Sequence, residues 1–353
     1  MLVDDATRRG ADSGIIAVRS ESTTLLGHVR ARLVFLAKLA AAAALLAAMA
    51  HFGAVDFGAL RVLGTSPWLA MVSLLAWVGS YWMAGAFRWW LLLRAIDVHV
   101  AFARAARLQL AALFANVIVP GNIGGEVMKN MALMTTDGKE HRAELLTLPV
   151  VERLVGLFGL LLTCLIVLPL RAHTLLGDPH VRPFVFACLA LTGTAVMGMV
   201  TFAILARAYG DRLADRLARG PLRMLAPGAR GIRRLAGHGR VLAQTIGISV
   251  CIQLSNGLCL TVTTLALYPG IDPLLPLVLF PFGVLSLVLP LSVAGFGIGH
   301  VAFGALFALV GLPGEATAFN VYLVSQTALS LLGIFPYLAS RDPLHRLTRS
   351  KIA

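Results

Sequence analysis

The sequence predicts an all-α polytopic membrane protein of about six spanning helices and two re-entrant helical hairpins, arranged as an inverted repeat. Three observations carry that prediction. First, the 353 residues are 58% hydrophobic and only 13% charged, with a mean hydropathy of +0.83. A soluble domain carries about a quarter charged residues, so this chain lacks the polar groups to clothe a globular surface. Second, several runs reach the roughly 20 apolar residues that cross a bilayer as a helix. Third, two apolar runs are broken by segments rich in glycine and proline. These are Val119-Pro120-Gly121-Asn122-Ile123-Gly124-Gly125-Glu126 and Pro290-Leu291-Ser292-Val293-Ala294-Gly295-Phe296-Gly297-Ile298-Gly299-His300. Lipid cannot hydrogen-bond free backbone, so broken backbone at membrane depth survives only when buried in protein or lining a wet cavity. Paired breaks in two halves of a chain point to a binding site between them.

In order, residues 1–32 are polar and basic, with Arg8, Arg9, Arg19, Arg30 and Arg32, and read as a disordered cytoplasmic tail. The alanine-rich run 33–53 reads as an uncleaved signal anchor, because a 32-residue leader is long for a signal peptide despite the cleavage-like Ala48-Met49-Ala50. Run 67–87 spans and ends at Arg88-Trp89-Trp90, an aromatic and basic interface anchor. The apolar 108–119, the first break and a short arm to 134 follow, then the long run 145–170 and the run 184–206. Segment 207–240 interleaves nine arginines with Leu and Ala, which fits either an amphipathic helix on an anionic membrane surface or a loop that sets topology. Run 241–268 spans, 276–291 and 298–311 flank the second break, 316–338 spans last, and residues 339–353 form a basic tail.

Treating each broken pair as a hairpin that returns to its own side places 25 of the 30 Lys and Arg on one face, with only Arg61, Arg171 and Arg182 opposite. That asymmetry obeys the positive-inside rule with both termini inside a bacterial inner membrane. The short arms, roughly 12 to 16 residues, fall below spanning length. A first repeat, 33–170, and a second, 184–338, then run in opposite senses within one membrane domain, 33–338. At an offset of 174, Gly121, Gly125, Glu126 and Glu152 align with Gly295, Gly299, His300 and Gln326. Inverted halves with paired breaks are the architecture of alternating-access transporters.

The net charge of +13 lies beside apolar runs without any nucleic-acid module, so nucleic acid is excluded as a partner. Cys164, Cys188, Cys251 and Cys259 have no CxxC spacing and the nine His no HExxH, so no metal or other cofactor is expected. The glycines at 295, 297 and 299 lack the βαβ context of a dinucleotide fingerprint. No catalytic constellation is present, so no enzyme is expected. Chemistry therefore falls to the intramembrane ionisable groups, Glu126 and Glu152 foremost. Arg153 cannot face Glu152, its neighbour on a helix, so its partner is either Glu126 or a lipid phosphate. The set either meets a ligand or locks the hairpin to the following helix. Gly121, Asn122, Gly124 and Gly125 leave amides for an anion, with Lys129 and Arg153 as the side-chain alternative and Arg88 a further substrate-binding candidate. Ser292, His300 and Gln326 complete the candidate substrate-binding set in the second half, although Gln326, like Asn116, also suits a purely interhelical hydrogen bond.

At these residues the chain resembles the lysylphosphatidylglycerol synthase transmembrane-region family, also described as flippase-like integral membrane proteins. The features that carry the resemblance run from about Phe87 to about Tyr337. They are Phe87-Arg88-Trp89, Asn116 through Glu126, Val151-Glu152-Arg153-Leu154 and Leu289 through Gly297. Two departures stand out. The family's later motif continues with Arg-Glu where this chain has Gly299-His300, and full-length synthases append a soluble aminoacyltransferase domain where this sequence ends at Ala353. The resemblance thus implies the membrane half's role: binding or moving an amphiphilic lipid, either an anionic phospholipid or a lipid-linked precursor. A membrane enzyme or accessory subunit of lipid-linked biosynthesis is the alternative, and membrane lipids, a second copy of the chain or a biosynthetic enzyme are the expected partners.

Overall fold

The computed structural model describes residues 60–118, 124–134, 140–177, 182–219, 232–234, 237–286, 298–312 and 316–339, together with Gly58 and Pro179. The expected first helix at 33–53, most of both tails and the centres of both breaks, with Gly121, Asn122 and Ser292, lie outside these residues. Among the described residues every regular element is a helix. Five helices are long and apolar enough to cross a membrane. They are α1 (Pro67–Ala95), α4 (Arg142–Val167), α5 (Arg182–Ala218), α6 (Gly239–Leu267) and α9 (Thr317–Ser330, continuing to Ala339). The shorter helices that build the hairpins are α2 (Phe102–Ile118), α3 (Gly124–Met134), α7 (Leu274–Ser286) and α8 (Ile298–Leu309).

The short helices pair as hairpins, α2 with α3 and α7 with α8. In the first, Asn116 meets Gly125 while Gln109 meets Lys129, so the arms run antiparallel. A Cβ on Gly125 would stand 2.0 Å from the Ala112 carbonyl oxygen, so only glycine lets the two backbones approach this closely. The helix series then recurs: α1, α2, α3 and α4 begin at 67, 102, 124 and 142, and α6, α7, α8 and α9 begin at 239, 274, 298 and 317. Packing is reciprocal as well. The last helix of the first series lies on the second hairpin (α4 on α7), and the last helix of the second lies on the first (α9 on α2). There, an added Cβ on Gly333 would meet the Leu110 carbonyl oxygen at 2.1 Å.

Two expectations change. The Arg-rich segment does not begin as a separate surface helix, because α5 runs unbroken for 37 residues from Arg182 to Ala218. At 1.5 Å per residue that is about 55 Å, longer than a bilayer is thick, so the Arg-rich end continues the spanning helix beyond the apolar layer. Nor do Arg88 and Trp89 form an interface anchor. Helix α1 continues past them to Ala95, and Trp89 is fully buried. Trp90 alone keeps the anchor's character, donating from its indole to the Val100 carbonyl at 2.9 Å with Arg94 stacked 4.7 Å above its ring.

Ion pairs between loops test the topology. Arg171 grips Asp272 with two nitrogens, tying the end of α4 to the α6–α7 loop. Arg234 pairs with Asp97, and Arg233 lies 2.7 Å from Asp211. Each pair joins segments that the charge asymmetry assigns to one side.

Candidate functional site

The first hairpin and the helices around it gather the charges. Lys129 on α3 and Glu152 on α4 pair at 2.7 Å, each only 2% exposed. Taking a lone charge out of water costs several kcal/mol, roughly, so such a pair survives only with further hydrogen bonds. Lys129 has them. Its ammonium also donates to Gln109 Oε1 at 2.9 Å and sits 4.7 Å above the Trp89 ring. Trp89 is itself held by an indole bond of 3.2 Å to Asn130 Oδ1, and Asn130 donates back to the Glu126 carbonyl at 2.8 Å. The Gln109 amide donates to the Tyr81 carbonyl at 3.3 Å, inside the π-helical stretch Trp77–Ala84 of α1.

A second pair lies further out. Arg153 Nε donates to Glu126 Oε2 at 2.9 Å, with the two side chains 40% and 22% exposed. Of the two partners open to Arg153, Glu126 is the one observed. Successive residues 152 and 153 on α4 thus point at successive turns of α3, one inward and one outward. The charges grade from half-exposed to fully buried across about one helical turn.

Arg88 belongs to this set. It extends from α1 to donate to Ser249 Oγ on α6 at 2.9 Å, and Nη1 would lie 3.6 Å from a Cβ added to Gly156 of α4. Two buried polar atoms in this region have no hydrogen-bond partner in the structure: Arg88 Nε and Glu152 Oε2. Three cations and two carboxylates leave the cluster one positive charge in excess.

The structure does not bring every expected residue here. Helix α3 begins at Gly124, and the Gly125 amide, expected to be free for an anion, is taken at 2.7 Å by Asn116 Oδ1. A helix start must satisfy its unpaired N–H groups, and the facing arm supplies the acceptor. Lys129, a side-chain candidate for the anion, is instead buried inside the bundle against Glu152. His300 and Gln326 lie in the other half. His300 exchanges a 3.0 Å hydrogen bond with Asn320, and Gln326 donates weakly to Cys259 Sγ at 3.7 Å. Around them the contacts are neutral: Tyr81 to Tyr322 at 3.1 Å, Trp77 to Ser330 at 3.1 Å and Ser80 to Asn256 at 3.0 Å. Gln109, Trp89, Asn130 and Ser249 are the members that sequence reasoning missed. A lone glutamine inside the apolar stretch 108–118 was the signal available for Gln109. Among the described residues no group of three His, Cys, Asp or Glu could hold a metal ion.

Paired hairpins, reciprocal halves and a cluster of ion-paired charges among apolar helices define a polytopic helical membrane protein. The chain belongs to the family described as the lysylphosphatidylglycerol synthase TM region, whose model matches residues 35–333. No curated protein and no solved structure matches it.

Proposed function

We propose that this protein is a lipid translocator, taking the headgroup of an amphiphilic lipid into the charged chamber while the acyl chains stay in the bilayer. The observation that supports this most is the graded pair of ion pairs, Arg153–Glu126 half-exposed and Lys129–Glu152 buried, set against a hairpin arm. Ionisable side chains inside an apolar helix bundle are costly, and their usual use is a polar pathway or binding site. A net positive chamber favours an anionic headgroup. The repeated helix series supports transport over catalysis, since reciprocal halves suit an exchange of access between the two faces. On this reading the protein sits in a bacterial cell membrane with its Arg-rich face and both termini in the cytoplasm.

The test is a lipid-scrambling assay with the full chain in vesicles carrying a trace of fluorescent phospholipid and quenched from outside. Translocation raises the quenchable fraction above that of protein-free vesicles. A fraction that stays at the protein-free level across anionic, zwitterionic and polyprenyl-phosphate lipids, with the protein shown to be folded, overturns the proposal. A second reading, an accessory subunit that presents a lipid from one leaflet to a biosynthetic enzyme, draws on the position of both ion pairs within the bundle, Lys129–Glu152 and Arg153–Glu126, in the first half. Selective lipid binding without scrambling would favour it.

A further inference from the structure

Helix α1 changes its winding part-way. Between Trp77 and Ala84 it is π-helical, with α-helical Pro67–Ala76 before and Gly85–Ala95 after. A π turn closes i→i+5 where an α turn closes i→i+4, so it takes in one more residue, and one residue is about 100° of rotation. The stretch therefore sets which way Arg88 and Trp89 point. Such turns are rare, and contacts from three other helices hold this one. Trp77 donates to Ser330 and Tyr81 meets Tyr322, both on α9, while Ser80 donates to Asn256 on α6. From α2, the Ala106 carbonyl accepts from Trp82 at 2.9 Å and Gln109 donates to the Tyr81 carbonyl.

Beyond the stretch, this winding leaves a donor and an acceptor unsatisfied, Arg88 Nε and Glu152 Oε2, both buried. An unmade bond at a buried charged group is costly. If the stretch rewinds as α, each residue after it moves on by one place. Phe87 then takes the place of Arg88, and Arg88 takes the place of Trp89, which lies 4.7 Å from the Lys129 ammonium that bonds Glu152. The guanidinium arrives beside the carboxylate and needs no empty space, because it replaces an indole. Two sets of bonds thus compete: the contacts that hold the π turn, and the pairing that the π turn denies. We propose that Trp77–Ala84 is a rotary joint with two registers, the observed one and an α-wound one in which Arg88 turns onto Glu152. Packed cores and interfaces favour such discrete alternatives over continuous deformation. The joint connects the neutral contacts of α1 with α6 and α9 to the charged cluster, so a change at either end is felt at the other. This inference does not rest on the lipid reading.

The test is thiol cross-linking in the full-length protein, with Cys164, Cys188, Cys251 and Cys259 replaced by serine and a short bifunctional thiosulfonate as reagent. Arg88 reaches Ser249 in the observed register, so R88C/S249C reports that register. F87C/S249C reports the α-wound one, and both pairs are expected to link. Two changes then separate exchange from mere adjacency of 87 and 88. A Cβ on Gly79 would meet nothing within 4 Å, so deleting this residue removes no side-chain contact. The deletion takes out the extra residue, so an α-wound stretch then holds Arg88 where it is now, and the 87–249 link is expected to be lost while 88–249 remains. E152Q removes the charge that draws Arg88 over, and the 87–249 yield is expected to fall about tenfold, the size of one hydrogen bond to a buried charged group. Upstream of the joint, Ser73 lies 3.8 Å from Cys259, so S73C with Cys259 retained is expected to form the same disulfide in every folded variant. If the Gly79 deletion fails that control, E152Q alone decides. An 87–249 pair that does not link, or whose yield is unmoved by E152Q or by the folded deletion variant, overturns the proposal. Both registers without scrambling removes the transport reading and leaves this one; scrambling with one fixed register does the reverse.

Discussion

The two hairpins have one architecture and opposite chemistry. In the first, Lys129 of α3 reaches back to Gln109 of α2, with Glu152 and Arg153 of α4 completing the charges. In the second, Phe303 of α8 lies against Gly283 of α7, stacks on Phe319 at 4.0 Å and packs with Phe280 and Phe307. Residues 109 and 283, like 129 and 303, stand at the offset that relates the repeats, so a Lys–Gln contact in one half is a Phe–Gly contact in the other. A buried lysine demands several partners and fixes one geometry; stacked rings demand only volume. Among the described residues the ion pairs within the bundle lie against the first hairpin, while the second is packed by aromatic rings and carries the His300–Asn320 hydrogen bond.

Backbone approach offers the strongest way to break this comparison. Gly125→Ala drives a Cβ into the Ala112 carbonyl at 2.0 Å, where no side chain can move aside, whereas Gly283→Ala meets the tip of the Phe303 side chain at 2.3 Å, which can shift without moving backbone. Overpacking costs about 1–3 kcal/mol and more where backbone must shift. Thermal unfolding in detergent is therefore expected to drop further for Gly125→Ala than for Gly283→Ala; the reverse order would place the tighter hairpin in the second half.

Converting the first hairpin to the chemistry of the second sharpens it. Lys129→Met alone strands Glu152 and is expected to cost about 3–5 kcal/mol, while Lys129→Met with Glu152→Leu is expected to recover most of that stability. A double-mutant cycle by unfolding measures the coupling. Recovery shows that the charges serve function; an unrecovered double variant shows that they hold the fold.

The outer pair should matter less to stability. Glu126→Gln is expected to cost under about 1 kcal/mol, because the partly exposed pair with Arg153 is screened by water. Lipid binding is the readout expected to change more.

The smallest effect is the loop pair on the opposite side. The Arg171 guanidinium, hydrogen-bonded to both carboxylate oxygens of Asp272, holds that carboxyl below its ordinary value. A carboxylate lowered by folding contributes stability above its unfolded value, and that contribution fades as pH falls through the folded one. Unfolding measured from neutral pH to below about 4 is expected to show a small acid-dependent loss that Asp272→Asn abolishes. An unchanged profile in that variant would remove the pair from the stability of this face.

Much of this was legible in the residues. A membrane class, the positions of the long helices and the location of the breaks follow from composition and run length, because lipid enforces both. Glu126 and Glu152 stood out because a carboxylate in an apolar run has few reasons to be there. Their partners were less legible. Whether Arg153 met Glu126 or a lipid, and that Glu152 takes Lys129, depend on which turns of α3 and α4 face each other, and that is fixed by arm packing at Gly125 rather than by spacing along the chain. Trp89 misled for a related reason. An arginine and two tryptophans look like an interface anchor, but Asn130 across the bundle offers an indole acceptor and draws Trp89 inside. The Arg-rich segment misled because its leucines and alanines extend a helix as readily as they form a surface stripe.

The most direct measurement compares scrambling by wild-type protein with scrambling by the Lys129→Met, Glu152→Leu double variant, both folded and reconstituted at equal density in vesicles containing phosphatidylglycerol. The expected result is translocation by the wild type and a rate at the protein-free level for the double variant. Equal rates from the two proteins would mean that the charged chamber plays no part in moving the lipid.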